Sequence, residues 1–249
     1  MAENEAIALE QLREVFAQNA NRGIMAENAA IALEQLREVF AQNSNPEKAF
    51  GMSKYMKNLF PFVGISSPER KNIVAELRKD FKPKSAQELK NWVTLLWEMS
   101  EREYQYVGMD YLQRDVKLLE IEDIAWFEFL IVTKSWWDSI DLISGNYLGK
   151  FLIKYPEIFE ETVMRFSQNE NMWLNRAAII CQLGYRENTN TELLQMAIVP
   201  HLESKAFFHQ KAIGWALRQY GKTDPQWVKD FVALHTLKPL SRREALRLL

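Results

Sequence analysis

Cysteine is nearly absent: Cys181 is the one cysteine in 249 residues, which excludes an intrachain disulfide and fits a reducing compartment. It lies in the apolar run AAIICQLGY with no activating base beside it in sequence, so it is expected in the core rather than as a nucleophile. Glycine (9) and proline (8) are also scarce, which argues against a turn-rich β architecture, whereas Leu, Ala, Glu, Lys and Gln are plentiful and favour helices. No apolar run approaches the roughly 18 residues that span a bilayer, and the N-terminus lacks the basic-then-apolar layout of a signal peptide, so a cytoplasmic protein is expected. The three histidines, His201, His209 and His235, show no metal-ligand spacing, and no glycine-rich phosphate loop is present. Neither a metal nor a cofactor is expected. Charge of neither sign dominates, with 31 basic against 33 acidic residues. A polyanion partner would therefore have to be met by charges segregated to one face.

What is present is a hydrophobic fraction of 47% with 12% aromatic residues, enough for a sizeable core. Amphipathic segments follow one another near 27–42, 46–59, 67–80, 85–99, 101–115, 121–133, 136–153, 155–167, 171–184, 190–201, 205–220, 224–235 and 241–249, with short polar breaks between them. Capping signals mark several starts, among them Ser66-Ser67-Pro68-Glu69 and Ser241 with Glu244 three residues on, and Gly221 makes a stop after Tyr220. Glu101 and Glu103 read as solvent-facing helix residues. The pattern predicts an all-α protein: an α-solenoid of HEAT-like antiparallel helix pairs forming one curved domain, whose concave face is the binding surface.

The N-terminus holds an internal copy. MAENEAIALEQLREVFAQNAN at 1–21 recurs as MAENAAIALEQLREVFAQNSN at 25–45, differing at Glu5/Ala29 and Ala20/Ser44. Such near-identity marks residues 1–24 as an engineered or recent duplicate and 25–249 as the working domain. The duplicate carries Glu3, Glu5, Glu10 and Glu14 against Arg13 and Arg22, so the chain's whole net charge of −2 lies within it.

The stretch VTKSWWDSID at 132–141 carries the first chemical signal. Ser135 is placed to cap a helix, with Asp138 closing the capping box. At about 100° per residue, Trp136, Ile140, Ile143 and Tyr147 form the core stripe, and Trp137 and Asp141 stack on a different face. Read alone, that is a tryptophan at the edge of the core beside a solvated aspartate. In SKAFFHQKAIGWALRQYG the stripe is Ile213, Ala216, Leu217 and Tyr220, while Lys211, Trp215 and Arg218 fall together on another side. Two aromatic faces, a carboxylate and flanking cations suit a cationic planar ligand attached to a phosphate backbone.

The strings NPEKAF…YMKN, GISSPERK, LIVTKSWWDSID, MWLNRAA, FFHQKAIGWALR and PLSRREA resemble the bacterial HEAT-repeat DNA glycosylases of the AlkD type, from about Met25 to Leu249. The resemblance implies removal of cationic alkylpurines such as 3-methyladenine and 7-methylguanine from double-stranded DNA, without flipping the base into a deep pocket, by a monomer acting in the bacterial cytoplasm at the nucleoid. It implies a catalytic cluster of Trp137, Trp215 and Asp141, a DNA-backbone contact by Arg176 in LNRAA, and a role for Tyr55 in YMKN. The cationic lining of the cleft would come from Lys54, Lys57, Arg70, Lys71, Lys134, Lys211, Arg218, Arg242 and Arg243. The alternative is a HEAT-repeat module that binds DNA or protein without catalysis; a pure binder, however, gains nothing from a carboxylate beside DNA phosphates. Because 1–24 duplicates a helix already present, deleting residues 2–24 is expected to leave the melting midpoint nearly unchanged. A collapse of the thermal transition would make the copy part of the working fold.

Overall fold

A computed structural model describes residues 24–249, with side chains from Asn28 onward. The duplicate up to residue 23, and with it the expectation of a separate copied helix, lies outside the described residues. Every regular element among the described residues is helical. The chain divides into two compact units, one ending at Glu120 and the other Ile121–Leu249.

In the first unit, α1 (Ile24–Gln42), α2 (Pro46–Tyr55), α3 (Ser67–Asp80), α4 (Ala86–Glu98) and α5 (Arg102–Asp115) follow one another. Contacts run from α4 to α5, from α3 to α5 and from α1 to both α3 and α4, joining helices one to three places apart along the chain. The α4 stripe Leu89, Trp92, Val93, Leu96 and Trp97 is fully buried, and Trp92 meets the edges of Phe81 and Tyr111 at 4.9 and 5.6 Å. Local chemistry sets the starts. Asn45 accepts the Lys48 N–H ahead of Pro46, and the Ser66 N–H donates to Glu69 at 2.7 Å, closing the expected capping box.

Glu103 corrects the sequence reading. It is fully buried, and its carboxylate accepts the N–H groups of Val63 (3.0 Å), Gly64 (2.8 Å) and Ile65 (3.2 Å). Gly64 has φ +96°, and a Cβ there would stand 2.0 Å from the Asn45 carbonyl oxygen, so glycine is required. Glu103 therefore clamps the loop that separates α2 from α3, by satisfying donors no helix or strand could reach.

The second unit runs through α6 (Ile124–Val132), α7 (Trp137–Leu142), α8 (Gly149–Lys154), α9 (Phe159–Ser167), α10 (Met172–Ile180), α11 (Thr191–Ile198), α12 (Phe207–Tyr220), α13 (Pro225–Leu234) and α14 (Pro239–Ala245). The helix α6, IAWFEFLIV, is apolar almost all round, and Trp126, Phe127, Phe129, Leu130 and Ile131 are buried. A π-helical turn at Ile143–Leu148 joins α7 to α8 without a break. Ile140, Ile143 and Tyr147 are buried as expected, and Gly149 lets the backbone approach α10, where a Cβ would meet the Cys181 carbonyl oxygen at 2.5 Å. Cys181 is buried, and burial pushes its thiol up to about 12, so it is inert core. Around α10 the packing partners are α6, α7, α9, α11 and α12, and α12 also packs along α14.

Two expected caps are not formed. Trp136, extended at φ −157°, precedes α7, while the Ser135 hydroxyl turns back to donate to the Ile131 carbonyl. Helix α14 starts at Pro239, and the Ser241 hydroxyl donates to the Gln210 carbonyl on α12. Replacing Glu103 by Ala is expected to cost roughly 3–5 kcal/mol in urea denaturation, since three backbone donors lose a charged acceptor. A loss below about 1 kcal/mol would contradict the clamp.

Candidate functional site

Helix α7 opens on an aromatic floor. Trp136 packs edge-on to Trp173 (5.8 Å) and to Phe208 (5.2 Å), and Trp173 to Phe208 at 4.9 Å. This cluster draws α7, α10 and α12 together at their first turns. Trp136, expected in the core, is half-buried among these rings. One turn apart along α7, Trp137 and Asp141 share a face, both half-buried.

Asp141 is held from α10. Arg176 donates its Nε to Oδ1 at 2.7 Å and its Nη2 to Oδ2 at 2.9 Å, a two-toothed pair, and its Nη1 donates to the Phe208 carbonyl at 2.8 Å. The arginine side chain is 5% exposed and the aspartate 20%. Arg176, expected at the DNA backbone, thus lies buried with its guanidinium turned inward onto Asp141. Burial pushes the Asp141 carboxyl above its ordinary range, opposed by the hydrogen bonds and charge of Arg176. The arrangement holds the carboxyl group rigid and partly open, with the guanidinium of Arg176 opposing the burial that favours its neutral form.

The residue before Arg176 does related work. Asn175 donates Nδ2 to the carbonyls of Phe166 and Ser167 at the end of α9 and of Asn169 just beyond it, and its Oδ1 lies 3.1 Å from His209 Nε2. Burial and the neighbouring His201 push the His209 imidazole down to about 4, so it is neutral near pH 7. Among the described residues, no three His, Cys, Asp or Glu side chains are grouped to hold a metal ion.

On α12, Trp215 is half-buried, with Ile213, Ala216 and Leu217 buried beneath it on the expected stripe. Lys211 and Arg218 do not stand free. Both pair with Glu244 of α14, Lys211 at 3.2 Å. Burial alone would raise the Glu244 carboxyl, but the two cations outweigh it and hold the group below its ordinary range. Lys134 sits in the left-handed region at φ 48° in the turn before α7, Arg242 reaches the Val232 carbonyl at 3.3 Å, and Arg243 is exposed.

The remaining candidates belong to the first unit. Tyr55 ends α2 and is exposed, as are Lys54, Lys57 and Lys71, with Lys57 and Asn58 both at positive φ. Arg70 donates to Asp110 at 2.8 Å and lies over the Tyr106 ring, 5.0 Å from its centroid. It is tied to α5 rather than directed outward. Sequence reasoning missed the partners Glu244, Asp110 and the Phe208 carbonyl, each far along the chain from the residue it holds.

Comparison with known proteins identifies the family. The family described as DNA alkylation repair enzyme matches residues 36–249. Among solved structures, the chain is similar to a predicted DNA alkylation repair enzyme from Enterococcus faecalis, at 38% identity and a TM-score of 0.77, over 83% of this chain and 96% of that one. No curated protein sequence matches. No helix of the described residues is long and apolar enough to cross a membrane. With the family match running from within α1 to the last residue, the chain belongs to the DNA alkylation repair enzymes.

Proposed function

We propose that the protein is a monofunctional DNA glycosylase that hydrolyses the N-glycosidic bond of cationic alkylpurines, 3-methyladenine and 7-methylguanine, in duplex DNA without base flipping. The observation that carries this reading is Asp141: a carboxylate fixed at both oxygens by a buried arginine, yet partly open on the helix face it shares with Trp137. A purine alkylated at a ring nitrogen is already positive. Its bond to C1′ breaks with the electron pair staying on the base, which leaves neutral and needs no general acid. Positive charge then resides on the sugar, where Asp141 stabilises it and orients the water that attacks C1′. The proton lost by that water passes to the carboxylate and on to solvent. Trp137 and Trp215 would hold the cationic nucleoside by cation–π contact.

Arg176 has a positioning role in this scheme. Its two donors fix the carboxylate plane, so the anion meets the developing charge without reorganising, and they counter the burial that would otherwise protonate it. Lys211 and Arg218 supply cations on the same side of α12 as Trp215, suited to phosphates flanking the lesion.

The experiment is single-turnover release of free 7-methylguanine from methylated duplex with protein in excess. The parent protein is expected to release the base, and Asp141→Asn to slow it by about 10²–10³, by analogy with removing one preorganised charge-stabilising group. Asparagine leaves Arg176 buried without its counter-charge, so a lower melting midpoint is expected as well, and rates are compared below both transitions. A variant releasing base at the parental rate would remove Asp141 from the chemistry.

The pH dependence follows from the sign of the shift. The ionised carboxylate is the active form, so the rate is lost as pH falls through its pKa, and the acid limb is expected above the ordinary carboxylate range. Arg176→Gln removes the interactions that favour the ionised form, so that limb is expected to move to higher pH. A limb that stays in place in this variant would contradict the role given to Arg176.

A further inference from the structure

Helix α12 carries its two inner cations on one line. At about 100° per residue, Lys211 and Arg218 fall almost directly above one another, with Gly214 on one flank of that line and Trp215 on the other. The glycine flank is closed. A Cβ on Gly214 would meet the Glu244 Cβ at 2.5 Å and the Ser241 carbonyl oxygen at 3.1 Å, so only a glycine lets α14 come this near. That approach brings a carboxylate under both cations at once: Glu244 reaches Lys211 with Oε1 at 3.2 Å and Arg218 with Oε2. Its side chain is 11% exposed, against 22% for Arg218 and 36% for Lys211. The anion lies beneath and the cations lie nearer to solvent, on the flank where Trp215 stands.

We propose that Glu244 sets the strength with which this face holds DNA phosphate, acting as a positioning residue that fixes Lys211 and Arg218 beside Trp215 while cancelling one of their two charges. This rests on the reading of the Trp215 face as the one that meets DNA. The three side chains together carry one positive charge instead of two, and both cations are satisfied before any nucleic acid arrives. A phosphate approaching from the Trp215 flank shares the cations with Glu244 rather than finding them free. It gains their hydrogen bonds and feels the carboxylate behind them. The consequence is a site that attracts backbone without gripping it. An enzyme that must leave undamaged sequence many times for each lesion it finds benefits from that weakness, because salt-dependent phosphate contacts supply nearly all non-specific affinity. The motif PLSRREA is thereby given a use: its glutamate, which a local reading takes as a helix cap, faces α12 instead.

The test is equilibrium binding of Glu244→Gln to undamaged duplex across a salt series, with the thermal melt of each preparation. It needs no base release, so its outcome is independent of whether the protein is a glycosylase. Gln keeps the size of the side chain and one acceptor but removes the charge. The expected result is affinity several-fold to about tenfold higher near 0.1 M salt, and a plot of log affinity against log salt steeper by about one. The same change made together with Lys211→Met should show a smaller gain, because one of the cations it releases is gone. If Glu244→Gln does not fold, Arg218→Gln reads the same trio from the other side: its net charge falls to zero, and affinity should drop with the slope flattened by about one. A folded Glu244→Gln with unchanged affinity and slope overturns the proposal, as does one that binds more weakly. A parent protein that binds no duplex overturns both this proposal and the functional reading beneath it.

Discussion

A buried guanidinium and a half-sheltered carboxylate face each other across α10 and α7, and much of the second unit is arranged around keeping them there. Arg176 has almost no contact with solvent, so it must spend its donors inside the protein: two on Asp141 and one on the Phe208 carbonyl at the first turn of α12. The helix bearing Trp137 and the helix bearing Trp215 are thereby tied to the same side chain. Removing one partner of such a pair typically costs about 3–5 kcal/mol, because the other is left buried and charged. That cost is what makes the carboxylate rigid. Asn175, the neighbour in sequence, binds the end of α9, and the Trp136–Trp173–Phe208 cluster packs the three first turns together. Polar and aromatic contacts thus fix the same helices from two sides.

Unpaired charge is rare among the inward-facing groups of the described residues, and the pairings divide by purpose. Arg78 with Asp115 and Arg70 with Asp110 join α3 to α5, and Glu103 holds the loop ahead of α3. These pairs explain why the α5 sequence REYQYVGMDYLQRD can be so polar and yet so buried. In the second unit, Asp141 pairs with Arg176 one turn along from Trp137, and Glu244 pairs with the two cations that share a side of α12 with Trp215. On the glycosylase reading proposed above, cations are presented to phosphate and a carboxylate to the lesion, and each of these charges already has a partner within the fold.

How much of this was legible in the sequence depended on distance along the chain. The helices, the cap at Ser66, the burial of Ile140, Ile143 and Tyr147 and the grouping of Lys211, Trp215 and Arg218 all rest on spacings of three or four residues, where helical periodicity acts directly. Arg176 to Asp141 spans 35 positions, Arg218 to Glu244 spans 26 and Glu103 to Gly64 spans 39. Nothing local announces them. Glu103 was misread because its neighbours look like an exposed helix face, and its three acceptor bonds go to a loop. The caps expected at Ser135 and Ser241 failed for a related reason: each hydroxyl found a carbonyl elsewhere, on Ile131 and on Gln210. The π turn at Ile143–Leu148 has no residue signature beyond Gly145 and Gly149, and its backbone fits against α10 only once both helices are in place.

The central claim is that Arg176 keeps Asp141 charged against the burial that favours its neutral form. Direct titration of the Asp141 carboxyl carbon by NMR, in the parent and in Arg176→Gln, measures this without reference to catalysis. The account predicts a midpoint above the ordinary carboxylate range in the parent and a further rise when the guanidinium is replaced. A midpoint at the value of a free aspartate, unmoved by the substitution, would contradict it.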